Sequence, residues 1–229
     1  MGYRRTPFAV GEWYHCYTRG IDKRTVFESE DDANRFQQLL YLANDSRPVL
    51  RSNFSHKKHR EVFTVTKNAQ IVRVGAYALM RNHYHLLLQE VVDGGISKFM
   101  QKLGTGYSMY FNERHGRIGN VFVKPFRSKH IDTDAYLRKV TQYIHLNAAE
   151  NFESLWKRGI ARDLAGLQRK LEAYSYSSLP EYVTKANRPE SIIIDKHAHS
   201  LLSSGLPNLA KVLSDMHGYY SDLQSEFKT

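Results

Sequence analysis

RNHYHLLLQE, running from Arg81 to Glu90, is the stretch on which the reading of this chain turns. Side chains on a β-strand alternate between faces, so His83 and His85 point one way while Tyr84, Leu86 and Leu88 point the other. The preceding run, IVRVGAYALM from Ile71 to Met80, is also rich in strand formers. With only Arg81 and Asn82 between the two runs, a β-hairpin is predicted, with both imidazoles at the head of its second strand. Two imidazoles on one face can hold a metal ion, and the same spacing also arises from packing alone. The spacing by itself leaves both readings open.

Outward from the hairpin, the elements fall into a recognisable order. EWYHCYTRG (12–20) reads as a first strand ending in a turn, and SEDDANRFQQLLYLAN (29–44) as a helix with Ser29 as N-cap. Residues 45–70 are polar and basic, without clear periodicity, and read as a long loop or insertion. ISKFMQKLGTGYSMYFNERHG (96–116) places Ile96, Phe99, Met100, Leu103 and Tyr107 on one helical stripe, with Gly116 as its stop. RIGNVFVKPFRSKHI (117–131) returns as an extended segment, and DTDAYLRKVTQYIHLNAAEN (132–151) as a helix capped by Asp132 or Thr133. Strand, helix, strand, strand, helix, strand, helix is the order of an α+β ferredoxin-like fold: an antiparallel sheet with helices on its faces. Short helical pieces follow Phe152. A domain over 1–182 and a C-terminal helical extension over 183–229 are expected.

Thirty-three Lys and Arg against 23 Asp and Glu give a net charge of +10 and a pI near 9.6, a balance suited to a polyanionic partner. Cys16 is the sole cysteine, which excludes an internal disulfide and any Cys-based zinc site, so a metal would have to be held by nitrogen and oxygen. No signal-peptide core and no apolar run of membrane-spanning length is present, and a cytoplasmic location is expected.

In the helix over 132–151, Tyr143 and Asn147 are four residues apart and share a face with Tyr136 and Val140. Should the histidine pair lie opposite, two imidazoles and an amide oxygen would surround a divalent cation with a phenol beside it. A phenol with a pKa near 10 is a poor nucleophile at neutral pH, and a cation on a scissile phosphate offsets the charge that its attack builds up. Imidazole with oxygen donors suits Mn²⁺ better than Mg²⁺, and either is expected to serve. The blander readings are a tyrosine in the core or at its rim and an asparagine capping a helix end.

Several quoted motifs carry a family resemblance. RNHYHLLLQE resembles the histidine-hydrophobic-histidine (HUH) motif of single-tyrosine transposases of the insertion-sequence 200/605 type. YHCYTRG, ISKFMQKLGTGYSMYFNERHGRIGNVF, YLRKVTQYIHLN and YSYSSLPEYV then follow the order of the REP-associated tyrosine transposases, over roughly Tyr3 to Tyr182. The resemblance implies a ferredoxin-like nuclease domain that cleaves single-stranded DNA near hairpins through a 5′-phosphotyrosine intermediate, acting as a monomer or homodimer. His83 and His85 match the motif histidines, Tyr143 the nucleophile, and Asn147 the polar residue that helps hold Mg²⁺ or Mn²⁺. Tyr107 and Tyr110 are rival nucleophiles, but Tyr107 lies on an apolar stripe.

The chain departs from the family pattern at Asn147-Ala148, where Asn-Pro is common, and at Pro125, where an Arg is common. Lys124 or Arg127 would then make the phosphate contact. Further candidate DNA contacts are Arg19, Arg24 and Lys129, and the cluster Lys57, Lys58, His59 and Arg60 in the long loop is a basic patch or simply a solvated one. His15 either borders the site or, more simply, packs in the core. A non-catalytic DNA-hairpin-binding protein is the competing reading. A replication-initiator or relaxase-type nuclease fits the motif order poorly.

Overall fold

The structure, a computed structural model, describes residues 7–49, 57–153, 155–156, 162–184, 187–204, 206 and 208–214. Four strands, β1 (Trp13–Arg19), β2 (Val72–Met80), β3 (His83–Glu90) and β4 (Arg127–Ile131), form one antiparallel sheet in the order β2-β3-β1-β4. This is the ferredoxin-like arrangement, and the hairpin turns at Arg81-Asn82 as predicted.

Side chains of alternate residues divide the molecule into two cores. On one face of the sheet Tyr14, Cys16, Tyr77, Leu79, Tyr84, Leu86 and Leu88 pack under α1 (Glu30–Leu42) and α3 (Gly95–Arg114). Trp13, Ala76, Ala78, Met80, Leu87 and Ile131 face the other way and meet Leu137, Val140, Tyr143 and Ile144 of α4 (Asp134–Asn147). Strand β2 reverses its facing at an irregularity between Val74 and Ala76, which puts Val74 in one core and Ala76 in the other. The residue there, Gly75, has no room for a side chain: a Cβ would lie 2.9 Å from the Trp13 ring.

Local chemistry sets the helix ends. Ser29 and Asp32 form a reciprocal capping box on α1. Helix α3 follows Gly94 in the left-handed region (φ 70°), and buried Glu90 accepts from Ile96 N at 2.6 Å, placing a carboxylate at the helix N-terminus. Its stripe is the predicted one, extended by Phe111, and Gly116 (φ 60°) follows its end. Thr133 caps α4. At Asn147-Ala148 the chain does not break but tightens into a 3₁₀ turn over Ala148–Asn151.

The long polar segment contains one helical turn, α2 (His59–Val62). Beyond α4 come α5 (Leu164–Glu172), α6 (Leu179–Val183), a 3₁₀ turn at Pro189–Ile193, α7 (Lys196–Ser203) and α8 (Leu209–Ser214). Residues 176–178 run along the outer edge of β2, with Leu79 N donating to Tyr176 O at 3.0 Å and Ser178 N to Tyr77 O at 2.9 Å. Further along, Asp195 N donates to Val74 O at 3.0 Å. Ile193 and Ile194 join the α1/α3 core, while Ala198, Leu202, Leu209, Val212 and Leu213 join the α4 core.

Candidate active site

His83 and His85 both turn toward α4, because Tyr17 pairs with His85, Arg19 with His83 and Ala78 with His85 across the ladder. Both are buried, with ring centroids 5.3 Å apart. Each ring is held at Nδ1. The Asn82 amide donates through Nδ2 to the Lys23 carbonyl at 2.9 Å, so its Oδ1 is an acceptor, and His83 Nδ1 lies 2.7 Å from it. His83 therefore carries its proton on Nδ1. His85 Nδ1 lies 2.7 Å from Nε2 of His15, which is fully buried on β1.

Helix α4 sets Tyr143 over these rings. Its phenol ring stands edge-on to His85 (5.8 Å, 89°) and to His15 (5.9 Å, 82°), while Tyr17 stacks on both imidazoles at 5.4 and 5.0 Å. One turn later Asn147 Nδ2 donates to the Tyr143 carbonyl at 2.7 Å, and Oδ1 is the acceptor end of that amide. Burial pushes the Tyr143 phenol up to about 12, with the Glu150 carboxylate and Tyr17 adding to the rise and the Asn147 side chain opposing it. Burial, assisted by the Lys129 ammonium, holds His15 near 3, so it is neutral at physiological pH.

Among the described residues no cluster of three His, Cys, Asp or Glu side chains is placed to hold a metal. The available set is two imidazoles and an amide oxygen. A metal-ligating imidazole characteristically has its other nitrogen hydrogen-bonded, and both rings here are held at Nδ1 so as to ligate through Nε2. Two imidazole nitrogens and an amide oxygen are donors that a divalent cation accepts.

The remaining candidates separate by position. Arg19 and Arg127 are exposed, Lys129 is half-buried, and the three share the histidine face through pairing with His83, Tyr17 and His15 respectively. Arg24 is occupied within its own turn, donating to the Ile21 carbonyl at 3.0 Å and pairing with Asp22 at 3.2 Å. Lys124 lines a cavity of about 520 Å³ with Thr18, Tyr84 and Phe126, on the α3 side of the sheet. The basic cluster of the long loop lies beside α1, with His59 3.4 Å from Gln38 and bound to Glu190 at 2.7 Å. Tyr107 sits in the α1/α3 core, its hydroxyl donating to the Val26 carbonyl, and Tyr110 donates to Asp32 at 3.2 Å. Both rival tyrosines are across the sheet from the imidazoles.

Sequence reasoning favoured His15 as a core residue; the fold makes it a core residue and a partner of His85 at once. It missed Tyr17, whose signal was the spacing of two residues from His15, and Glu150, whose signal was one 3₁₀ turn beyond Asn147. Glu150 also lines a recess of about 380 Å³ with Arg81, Asn82 and Asn151, beside the histidine-bearing turn.

A ferredoxin-like sheet with paired imidazoles on the face covered by a tyrosine-bearing helix defines the class. A family model described as "Transposase IS200 like" matches residues 11–147, and the chain belongs to that IS200-like transposase family. Among solved structures, that of a REP-associated tyrosine transposase bound to a REP hairpin is similar, at 13% identity and a TM-score of 0.48, covering 81% of this chain and 86% of the other. No curated protein matches. Among the described residues no helix is long and apolar enough to cross a membrane.

Proposed function

We propose that this transposase nicks and rejoins single-stranded DNA next to hairpins, with Tyr143 as nucleophile and His83, His85 and Asn147 as the ligands of Mg²⁺ or Mn²⁺. The observation that carries the reading is the edge-on seat of Tyr143 against His85, on the one sheet face where the imidazoles are grouped. Tyr143 Oη bonds to the scissile phosphorus and gives up its proton, the bond from phosphorus to the 3′ oxygen breaks, and that oxygen takes up a proton to leave as a 3′ hydroxyl. The 5′ phosphate stays esterified to Tyr143, which conserves the bond for rejoining by the reverse displacement. A bound divalent cation supplies charge stabilisation at the phosphate oxygens.

Arg19, Arg127 and Lys129 border this face and are proposed to track the DNA backbone beside Tyr143, while Arg24 and Lys124 would contact DNA outside the catalytic face. Residues 1–182 are proposed as the nuclease domain and 183–229 as its helical extension. The test is a denaturing gel with hairpin-bearing single strands and Mn²⁺, Mg²⁺ or EDTA. A metal-dependent protein–DNA adduct that disappears in Tyr143→Phe is expected; an adduct persisting in Tyr143→Phe overturns the assignment.

One observation favours the second reading, a hairpin-binding protein without turnover: the Tyr143 ring is buried, and burial opposes ionisation of its phenol. Tight hairpin binding with no adduct under any metal would select it.

A further inference from the structure

We infer that His15 is a positioning residue for the cation site, holding His85 in the one tautomer that can ligate; this rests on the reading of His83, His85 and Asn147 as cation ligands. His15 Nε2 and His85 Nδ1 are 2.7 Å apart and both buried, so one proton lies between them. Two neutral imidazoles can share it in two ways. If His15 Nε2–H donates, the His85 proton must be on Nε2, and that nitrogen has no lone pair for a metal. If His85 Nδ1–H donates, Nε2 carries the lone pair and His15 is the acceptor. Cation binding at His85 Nε2 therefore selects the second arrangement and places the His15 proton on Nδ1.

The contrast with His83 sharpens the point. Asn82 Oδ1 can only accept, so the tautomer of His83 is set before any ligand arrives. His85 is backed by a group that can donate or accept, and its tautomer is set together with the cation. An apolar residue between Leu87 and Lys129, the ladder partners of His15, would avoid the cost of burying a polar ring. The imidazole instead gives His85 a hydrogen-bond partner of the kind that raises ligand basicity.

The test uses the full chain without DNA and reads Mn²⁺ affinity by calorimetry for wild type, His15→Leu, His15→Gln and His83→Ala, with thermal melts to verify folding. His15→Leu is expected to weaken Mn²⁺ about 10- to 100-fold, the usual effect of removing a partner behind a metal ligand. His15→Gln, whose carbonyl can accept from His85 Nδ1–H, should bind nearly as wild type. Histidine nitrogen NMR of the Mg²⁺-loaded wild type should find the His85 proton on Nδ1, which keeps the inference testable even if His15→Leu does not fold. Wild-type affinity in His15→Leu, an equal loss in the two His15 variants, or a His85 proton on Nε2 overturns it. Should His83→Ala bind Mn²⁺ as wild type does, the cation site itself is misplaced and both readings fall; a loss in His83→Ala alone removes only the role of His15.

Discussion

The two faces of one sheet differ in what their side chains do. Under α1 and α3, Phe36, Tyr84, Tyr107 and Phe122 pack ring against ring, and the Tyr107 hydroxyl donates to a backbone carbonyl. Under α4, buried polar side chains, His15, His83, His85, Tyr143 and Asn147, sit among the apolar ones and engage largely one another and adjacent backbone. Buried polar groups contribute little net stability even when satisfied, because each gives up water to form its bond. The first face is built to hold the fold, and the second gathers the polar side chains of the proposed site.

The largest expected effect lies in the chemistry. Tyr143→Phe should abolish the covalent DNA adduct, whereas Tyr107→Phe, across the sheet, should leave it; an adduct lost in both variants would collapse the distinction between the faces. Stability should divide the opposite way. Leu86→Ala, fully buried on the aromatic face, should cost about 2–5 kcal/mol in urea unfolding. His85→Ala should cost less, and a larger loss there would show that the imidazole face also carries the fold.

A pH titration separates the faces more finely. Burial holds His145, on α4, near 3, against about 6.5 in an unfolded chain. Its folded value is the lower one, so its contribution is fully present above about pH 6.5 and is lost as pH falls toward 3. His145→Gln should flatten the acid limb of the stability curve, read from thermal melts between pH 7 and pH 4; an unchanged slope removes His145 from that limb. The smallest effect concerns salt. Arg127→Ala and Lys129→Ala should each reduce the slope of log affinity for single-stranded DNA against log salt by up to about one, while Lys58→Ala should not. Equal slopes for all three would mean that the histidine face does not track the phosphate chain.

Much of this was legible because it is local. Alternation placed His83 and His85 together, the stripe from Ile96 to Tyr107 gave α3 its buried side, and Ser29 announced α1. Spacing of four put Tyr143 and Asn147 on one face, and burial of that face brought the phenol to the imidazoles. What could not be read depends on register between distant segments. The bond from His15 to His85 exists because β1 lies beside β3 with Tyr17 opposite His85, and nothing within either segment specifies that offset. The irregularity at Gly75 reverses the facing of β2 at a point that reads in sequence as an ordinary strand residue. Lys124 and Arg24 were grouped with Arg127 by charge, and charge does not say on which side of a sheet a turn leaves a side chain.

The backbone bonds along β2 have a consequence for how copies of this chain meet. A sheet has two outer rims, and an uncovered rim is a template on which a strand from another molecule can add. Residues 176–178 and Asp195 occupy the hydrogen-bonding groups of β2 at several points, so that rim is largely closed. The opposite rim is β4, five residues long and carrying Arg127 and Lys129. A second copy approaching there would bring the same cations against them, whereas a phosphate backbone would neutralise them. The one rim left open among the described residues thus discourages growth into fibres and favours a polyanion.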